Sequence, residues 1–337
     1  MPKKIYGKKQ KCFFGTNNSI NQLKIDNYIL IQNLGKNSFT DYYLAKLEGK
    51  DKYFFVKRIK EPMIAEKKIK NSIYYEIKIL KSLNHPNIVK IEDLKKTSNH
   101  IYIIMEYING GNLSTCLKKY MEKNKNAFSE QIIQQLMRQI INAIVYIHKN
   151  NIIHKNLSLD NIMVNFESDN DKQNLNMLKS KIKIIHFHEN VDLIENDSTN
   201  NSNLKTFKYL EPNLLKIFLK SYQLYSLYYN KTMDIWSLGI IFYKLLVGKY
   251  VFEINSLKDC DKIEDGSYSV PLTISKESIS FLNGMLQYDP SYRLNIEQLN
   301  THPFLTKNII DFQKFDLKRI QYLKSKRAIF NEDEDRI

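Results

Sequence analysis

Apolar residues along this chain change period once, at Gly110-Gly111, and that change limits the fold more than any local motif does. Upstream, short β-rich runs lie between turn residues, at Tyr28–Ile31, Tyr42–Ala45, Tyr53–Lys57, Ile88–Ile91 and Ile101–Met105. A single helical stretch interrupts them over 65–82, with Ile69, Ile73, Ile77 and Leu80 on one face. Downstream, helices dominate. Ser129 is a good N-cap for the apolar stretch Ile132–Ile147, in which Ile133, Leu136, Ile140, Ala143, Ile144 and Ile147 share a face. Small strands are predicted at Ile152–Ile153, Ile162–Val164 and Ile182–Ile185, and a solvated loop over Glu167–Lys181. Further helices are predicted at Asp234–Leu246, 275–287, 296–300 and 309–325. The outline is α+β: a small β-rich lobe with one helix, then a larger helical lobe, with a cleft at the junction where ligands prefer to sit.

The chain has 337 residues, ample for a well-buried core. No apolar run is long enough to span a bilayer, and the Met1-Pro2-Lys3-Lys4 start has no apolar signal region. Cys12, Cys116 and Cys260 are odd in number and form no C-x-x-C pair, which points to a reducing, cytoplasmic setting. The net charge is +15, but the lysines are scattered, so no nucleic-acid partner is expected from charge alone. Three regions follow: a basic disordered arm over 1–26, the two-lobed domain over 27–306 with its lobes meeting at 108/109, and a C-terminal helix with an acidic tail over 307–337.

A series of local motifs then falls in a fixed order. Gly35-Lys36-Asn37-Ser38-Phe39-Thr40 makes a loop between strands; Lys57 lies in the strand after it; Glu76 lies on the helix, ahead of His85-Pro86-Asn87-Ile88-Val89. Met105-Glu106-Tyr107 precedes the glycine pair. His154-Lys155-Asn156-Leu157-Ser158-Leu159-Asp160-Asn161, His186-Phe187-His188, Glu211-Pro212-Asn213 and Asp234-Ile235-Trp236 follow, then Arg293 and His302-Pro303-Phe304. Taken in this order, residues 28–306 resemble the eukaryotic protein-kinase domain of the serine/threonine type. The resemblance implies a bilobal kinase fold and a stacked hydrophobic spine of Leu80, Ile91, His154 and Phe187 based on Asp234. It also implies a nucleotide site of Leu34, Gly35, Lys57, Glu76, Met105, Glu106, Ile108, Asn161 and Met163.

The sequence departs from that family where the chemistry is done. The D-F-G aspartate that holds metal on the phosphates is replaced by His186, and imidazole is a poor ligand for Mg²⁺. The catalytic-loop aspartate is replaced by Asn156, which cannot accept the hydroxyl proton. Ser158 stands where a phosphate-facing lysine is usual. Only Gly35 of the three loop glycines is kept. Phe55 and Tyr42 are expected to fill the adenine slot, packing on Leu34 and Met163. His186 and His188, with Glu189 nearby, read as polar residues of a relaxed site rather than a metal set. Asn213 breaks the charge pair that the family's A-P-E glutamate makes with the Arg293 position, for which Glu211 is the available substitute. Lys155 is the site's candidate for a phosphate on Ser198, Thr199 or Thr206. Lys57 and Glu76 are kept, as a phosphate-binding pair or as an ordinary surface ion pair.

The expected function is that of a pseudokinase, with no cofactor: a scaffold or allosteric regulator whose partner is a protein, either an active kinase or its substrate. The alternative is a weakly active serine/threonine kinase that still uses ATP and Mg²⁺.

Overall fold

The structure, a computed structural model, describes residues 23–36, 40–60, 67–187, 208–214, 230–252, 268–271 and 273–308. Residues 1–22 of the expected arm, Asn37, Cys12, Cys260, His188, Glu189, Ser198, Thr199, Thr206, the helix expected at 309–325 and the acidic tail lie outside them.

The first lobe is a six-stranded antiparallel sheet of β1 (Lys24–Ile25), β2 (Tyr28–Lys36), β3 (Thr40–Leu47), β4 (Tyr53–Lys60), β5 (Ile91–Lys96) and β6 (His100–Glu106), in the order β1-β2-β3-β4-β6-β5. Alternation along β4 sends Phe54 and Val56 to one face and Phe55, Lys57 and Ile59 to the other. The first face joins Leu30, Ala45, Tyr102 and Ile104 in a small core. The sheet curls around that core until its edges meet: Tyr28 Oη donates to Asp93 Oδ2 (3.3 Å) and Lys95 Nζ reaches Asp26 Oδ2 (2.9 Å). The second face packs on helix α1 (Lys67–Ser82), which buries Ile77 and Leu80 and brings Glu76 inward. Strand β1 falls inside the segment expected as arm.

The second lobe is built on α2 (Leu113–Asn124), α3 (Glu130–Lys149) and a later helix, α5 (Lys231–Val247). Ser129 caps α3 as its sequence predicts, accepting from Ile132 N at 3.4 Å. Helix α5 is apolar nearly all round and correspondingly buried nearly all round, from Met233 to Leu246. Strands β7 (Ile162–Asn165) and β8 (Lys181–Ile184) form a hairpin at the top of this lobe. Helices α6 (Lys276–Met285), α7 (Ile296–Asn300) and α8 (Pro303–Thr306) close its base. The lobes are stitched at β8: Val89 N donates to Ile184 O (3.0 Å) and Ile184 N to Asn87 O (2.8 Å).

The α+β, two-lobed architecture is therefore the one expected. Three local expectations are corrected. Ile88–Ile91 is not a strand; Ile88 makes one bridge to Ile184 across the lobes, and the strand begins at Ile91. Ile152–Ile153 is irregular; Ile152 N donates back to Ile147 O at the end of α3 (2.9 Å). The Glu167–Lys181 loop contains helix α4 (Asp169–Asn174), capped by Ser168, and Met177 within the loop is buried.

Gly110 marks the lobe boundary because the backbone approaches closely there. A Cβ on it would stand 2.4 Å from Val164 O and 2.7 Å from the Phe166 ring. Gly110→Ala is expected to destabilise the fold by about 1–3 kcal/mol through overpacking. Chemical denaturation reads this directly, and an unchanged midpoint would count against that contact.

Candidate functional site

Strand β4 and helix α1 carry the two kept charges into the cleft. Lys57 Nζ lies 2.9 Å from Glu76 Oε2, with the side chains only 9% and 5% exposed. The surface-pair reading is thereby excluded; removing one partner from such a buried pair typically costs about 3–5 kcal/mol. The second carboxylate oxygen faces the other lobe. His186 Nδ1 stands 3.4 Å from Glu76 Oε1, within ion-pair range but long for a hydrogen bond. His186 reaches it from a left-handed backbone (φ 62°), which costs a side-chain-bearing residue about 1–2 kcal/mol. One carboxylate on α1 thus faces a cation of the upper lobe and an imidazole of the lower one.

Beside this group lies a small, partly open, mostly apolar cavity of about 60 Å³. Of the residues the sequence nominated, Phe55, Lys57, Glu76 and Met105 line it, as do Glu106, Ile108, Met163 and His186. It is far below the ~150 Å³ cavity that admits benzene. Phe55 and Met163 approach it from opposite lobes. Tyr42 stacks on the Phe55 ring with centroids 5.7 Å apart and planes 28° apart, backing it from outside. The expected packing on Leu34 is not found: Leu34 is 45% exposed and does not line the cavity. Gly35 (φ 153°) sits where β2 meets Tyr42 across the ladder, also outside the cavity.

The loop from His154 to Asn161 is held from below. Asp234, buried in the first turn of α5, accepts from His154 N at 2.9 Å and from Lys155 N at 3.1 Å, and its Oδ2 lies 2.8 Å from His148 Nε2. Those bonds fix Lys155 in a left-handed turn (φ 67°). His154 accepts from Asn156 N on Nδ1 (3.2 Å), so its Nε2 carries the proton toward Ile185 O (3.1 Å). Its ring packs on Phe187, with centroids 4.6 Å apart. His154, Phe187 and Leu80 are all buried, and Ile91 packs against the same hydrophobic core, which runs from α5 into the upper lobe. Asn156 is part-buried, Ser158 is 9% exposed, and Asn161 donates its side-chain amide to Asn156 O at 2.8 Å. Asn161 therefore braces the loop and does not line the cavity.

A second anchor lies lower. Glu211 and Arg293 form a buried ion pair, and Arg293 also donates to Gln287 O (2.8 Å), Thr232 O (3.1 Å) and Tyr288 O (3.1 Å). Asn213, two residues on, instead accepts from Tyr288 Oη at 3.0 Å. The charge lost at Asn213 is supplied from Glu211.

Sequence reasoning missed Lys183, whose Nζ lies 2.8 Å from Glu106 Oε1 and ties β8 to the segment joining the lobes. Its position between the buried Ile182 and Ile184 was the available signal, since alternation turns it to the opposite face. Among the described residues no group of three His, Cys, Asp or Glu side chains is placed to hold a metal ion, and no helix is long and apolar enough to cross a membrane.

Comparison with known proteins places these features in a family. The protein kinase domain family model matches residues 28–305. The chain is 26% identical to the serine/threonine-protein kinase PLK4 of Drosophila virilis over 284 residues, 84% of this chain and 33% of that protein. It is 26% identical to the protein kinase C epsilon type of Oryctolagus cuniculus over 328 residues, 93% of this chain and 41% of that protein. It is 29% identical to a probable serine/threonine-protein kinase of Dictyostelium discoideum over 256 residues, 76% of this chain and 28% of that protein. The chain thus spans between about a quarter and two fifths of the length of these relatives.

The relocated anchor generates a test. Glu211→Ala leaves a buried guanidinium without its counter-charge and is expected to cost about 3–5 kcal/mol. Adding Asn213→Glu to that variant should recover part of the loss, whereas Asn213→Glu alone should not stabilise. Urea denaturation of the three variants measures both effects.

Proposed function

Because this chain belongs to the protein kinase domain family, we propose that it is a pseudokinase, a kinase-shaped module that holds or tunes a protein partner with little or no phosphotransfer. The observation that carries the reading is His186. It stands at the family's metal-binding position and faces Glu76, so the residue that would present oxygen to a cation presents a nitrogen to a carboxylate.

ATP and Mg²⁺, the family's usual cofactors, do not fit the residues as placed. The cavity beside Phe55 is about 60 Å³, below the ~150 Å³ of a cavity that admits benzene. Mg²⁺ needs an oxygen set, and of the two family positions His186 offers no oxygen, so the side-chain oxygen of Asn161 would be left as one ligand of two. Asn156 cannot act as a base, a loss of about 10²–10⁴-fold where such a base is used. These departures reinforce one another, and no catalytic step is assigned to the chain. The partner is taken to be a protein kinase or its substrate, and the compartment the cytoplasm; the buried Cys116, its thiol pushed up to about 11 by burial, is consistent with a structural role for that residue.

One observation favours a second reading. The buried Lys57–Glu76 pair is the arrangement that a weakly active, ATP-binding serine/threonine kinase would keep. The two readings separate in a thermal-shift titration. The pseudokinase predicts no change in Tm beyond about 1 °C at millimolar ATP, with or without Mg²⁺, because a ligand that does not bind the native state cannot stabilise it. Phe55→Ala is expected to create a response to ATP alone. A clear wild-type shift with Mg²⁺, together with phosphotransfer abolished by Lys57→Ala, would establish the second reading.

A further inference from the structure

Helix α3 is apolar along most of its length, yet Gln131, Gln134, Gln135 and Arg138 recur on one face of it at the i, i+3, i+4, i+7 spacing. That face lines an open, polar cleft of about 410 Å³, which shares no lining residue with the cavity between the lobes. Two other segments complete it. The turn Met177–Lys179 supplies Leu178, which stands at the rim 41% exposed while its neighbour Met177 is buried. The end of α8 and the residues after it supply Thr306, Lys307 and Asn308, where the described residues stop.

The walls are fixed by hydrogen bonds. Gln134 is buried and donates from Nε2 to Phe304 O (2.5 Å) and Lys307 O (2.9 Å), and Arg138 Nε donates to Leu305 O (2.7 Å). Helix α3 thereby grips the backbone of 304–307. Among the described residues that Nε bond is the only one the guanidinium makes, which leaves four of its five N–H donors for a ligand. Lys307 Nζ lies 3.8 Å from Glu277 Oε1, at the limit of an ion pair, with 59% of the side chain exposed. No carboxylate is among the residues that line the cleft. Its volume is well above the ~150 Å³ cavity that admits benzene, so side chains fit in it. Two cations, several amides and one exposed leucine suit an acidic segment with an apolar residue beside it.

The chain carries such a segment. Ile329-Phe330-Asn331 is followed by four consecutive acids, Glu332-Asp333-Glu334-Asp335. Residues 309–331 join them to the cleft, and the join is long enough in either regime. As flexible chain it spans roughly 25–30 Å root-mean-square. With the helix predicted for 309–325, about 25 Å long, residues 326–331 still run back about 20 Å. Tethering decides the occupant. Carboxylate–cation pairs in contact with water are individually weak, but an attached ligand meets its site at a millimolar effective concentration. A segment of another protein has no such advantage.

We propose that Glu332-Asp333-Glu334-Asp335 seats in this cleft, its carboxylates on Arg138 and Lys307 and the preceding Ile329-Phe330 on the Leu178 rim. The chain then covers the polar face of α3 with its own acidic tail, and an acidic segment of a partner reaches that face only by displacing the tail. The proposal stands apart from the pseudokinase reading, which concerns the cavity between the lobes.

The test is fluorescence anisotropy of a labelled peptide of residues 327–337 with two forms of the full chain. One is wild type; the other has its tail neutralised by Glu332→Gln, Asp333→Asn, Glu334→Gln and Asp335→Asn. The neutralised chain is expected to bind the peptide about tenfold or more tightly than wild type, whose own tail competes. In the neutralised background, Arg138→Gln with Lys307→Gln should weaken binding about tenfold or more. Gln131→Glu, at an exposed position of the same face, should weaken it too, and it leaves the Leu305 bond in place should the double variant fold poorly. Neutralising two exposed lysines elsewhere, Lys78→Gln with Lys118→Gln, should change binding less than twofold. Equal or weaker binding by the neutralised chain would mean that the cleft stands open to a partner, and would overturn the proposal. So would absence of binding to either form, or equal losses from the cleft pair and the remote pair, which would reduce the effect to net charge. Displacement of the peptide by inorganic phosphate, but not by chloride at the same ionic strength, would overturn it in favour of a phosphate seat. No ATP enters the measurement, so this conclusion and the pseudokinase reading can fail separately.

Discussion

A single buried carboxylate holds the lower half of the cleft together. Asp234 binds two consecutive backbone amides, His154 and Lys155, across about 80 residues of sequence, and faces His148 as well. Left without that acceptor, the amides would be orphaned in a dry interior, at a cost of about 1–3 kcal/mol each. With it, the loop takes its left-handed turn, His154 is oriented by its own Nδ1, and Phe187 has a ring to pack on. The stack that joins the lobes rests on this foot. None of it requires phosphoryl transfer, so the scaffold stands on packing and hydrogen bonds alone.

The departures in the cleft are linked rather than separate. On the reading proposed above, His186 stands where the family carries a metal-binding aspartate, so an imidazole and not a second carboxylate faces Glu76. Glu76 then serves both Lys57 and His186, and the buried carboxylate gains a partner where a like charge would have stood. Phe55 and Tyr42 stack at the cavity wall. A similar economy operates at the second anchor, where the carboxylate has moved two residues, from the Asn213 position to Glu211, and still meets Arg293.

Much of this was legible in the sequence, for identifiable reasons. The change of period at Gly110-Gly111 gave the two lobes, because amphipathic periodicity is local. The ordered motifs located Lys57, Glu76, Asn156 and His186. What the sequence could not supply were contacts between distant segments. Ile152–Ile153 reads as a strand by residue type, but Ile152 N turns back to Ile147 O at the end of α3. Phe55 and Met163 converge as expected, whereas Leu34 turns outward, since facing direction in a bulged strand is set by its partners. Glu211 was an available partner for Arg293, and only its placement decided the matter. Gln131, Gln134, Gln135 and Arg138 share a face of α3 by spacing, but nothing local signals that Leu178 and Lys307 meet them there.

The contact of Glu76 with both Lys57 and His186 has a consequence for regulation. In a protein whose competent arrangement is only partly populated, a partner's apparent affinity falls by that fraction, and a first ligand can restore it. Here α1 is fastened inward by Lys57 and His186, side chains of the chain itself, so the surface it presents is set before anything binds. On the pseudokinase reading proposed above, the same fastening sets α1 without nucleotide, which leaves a protein partner or covalent change as the means of control.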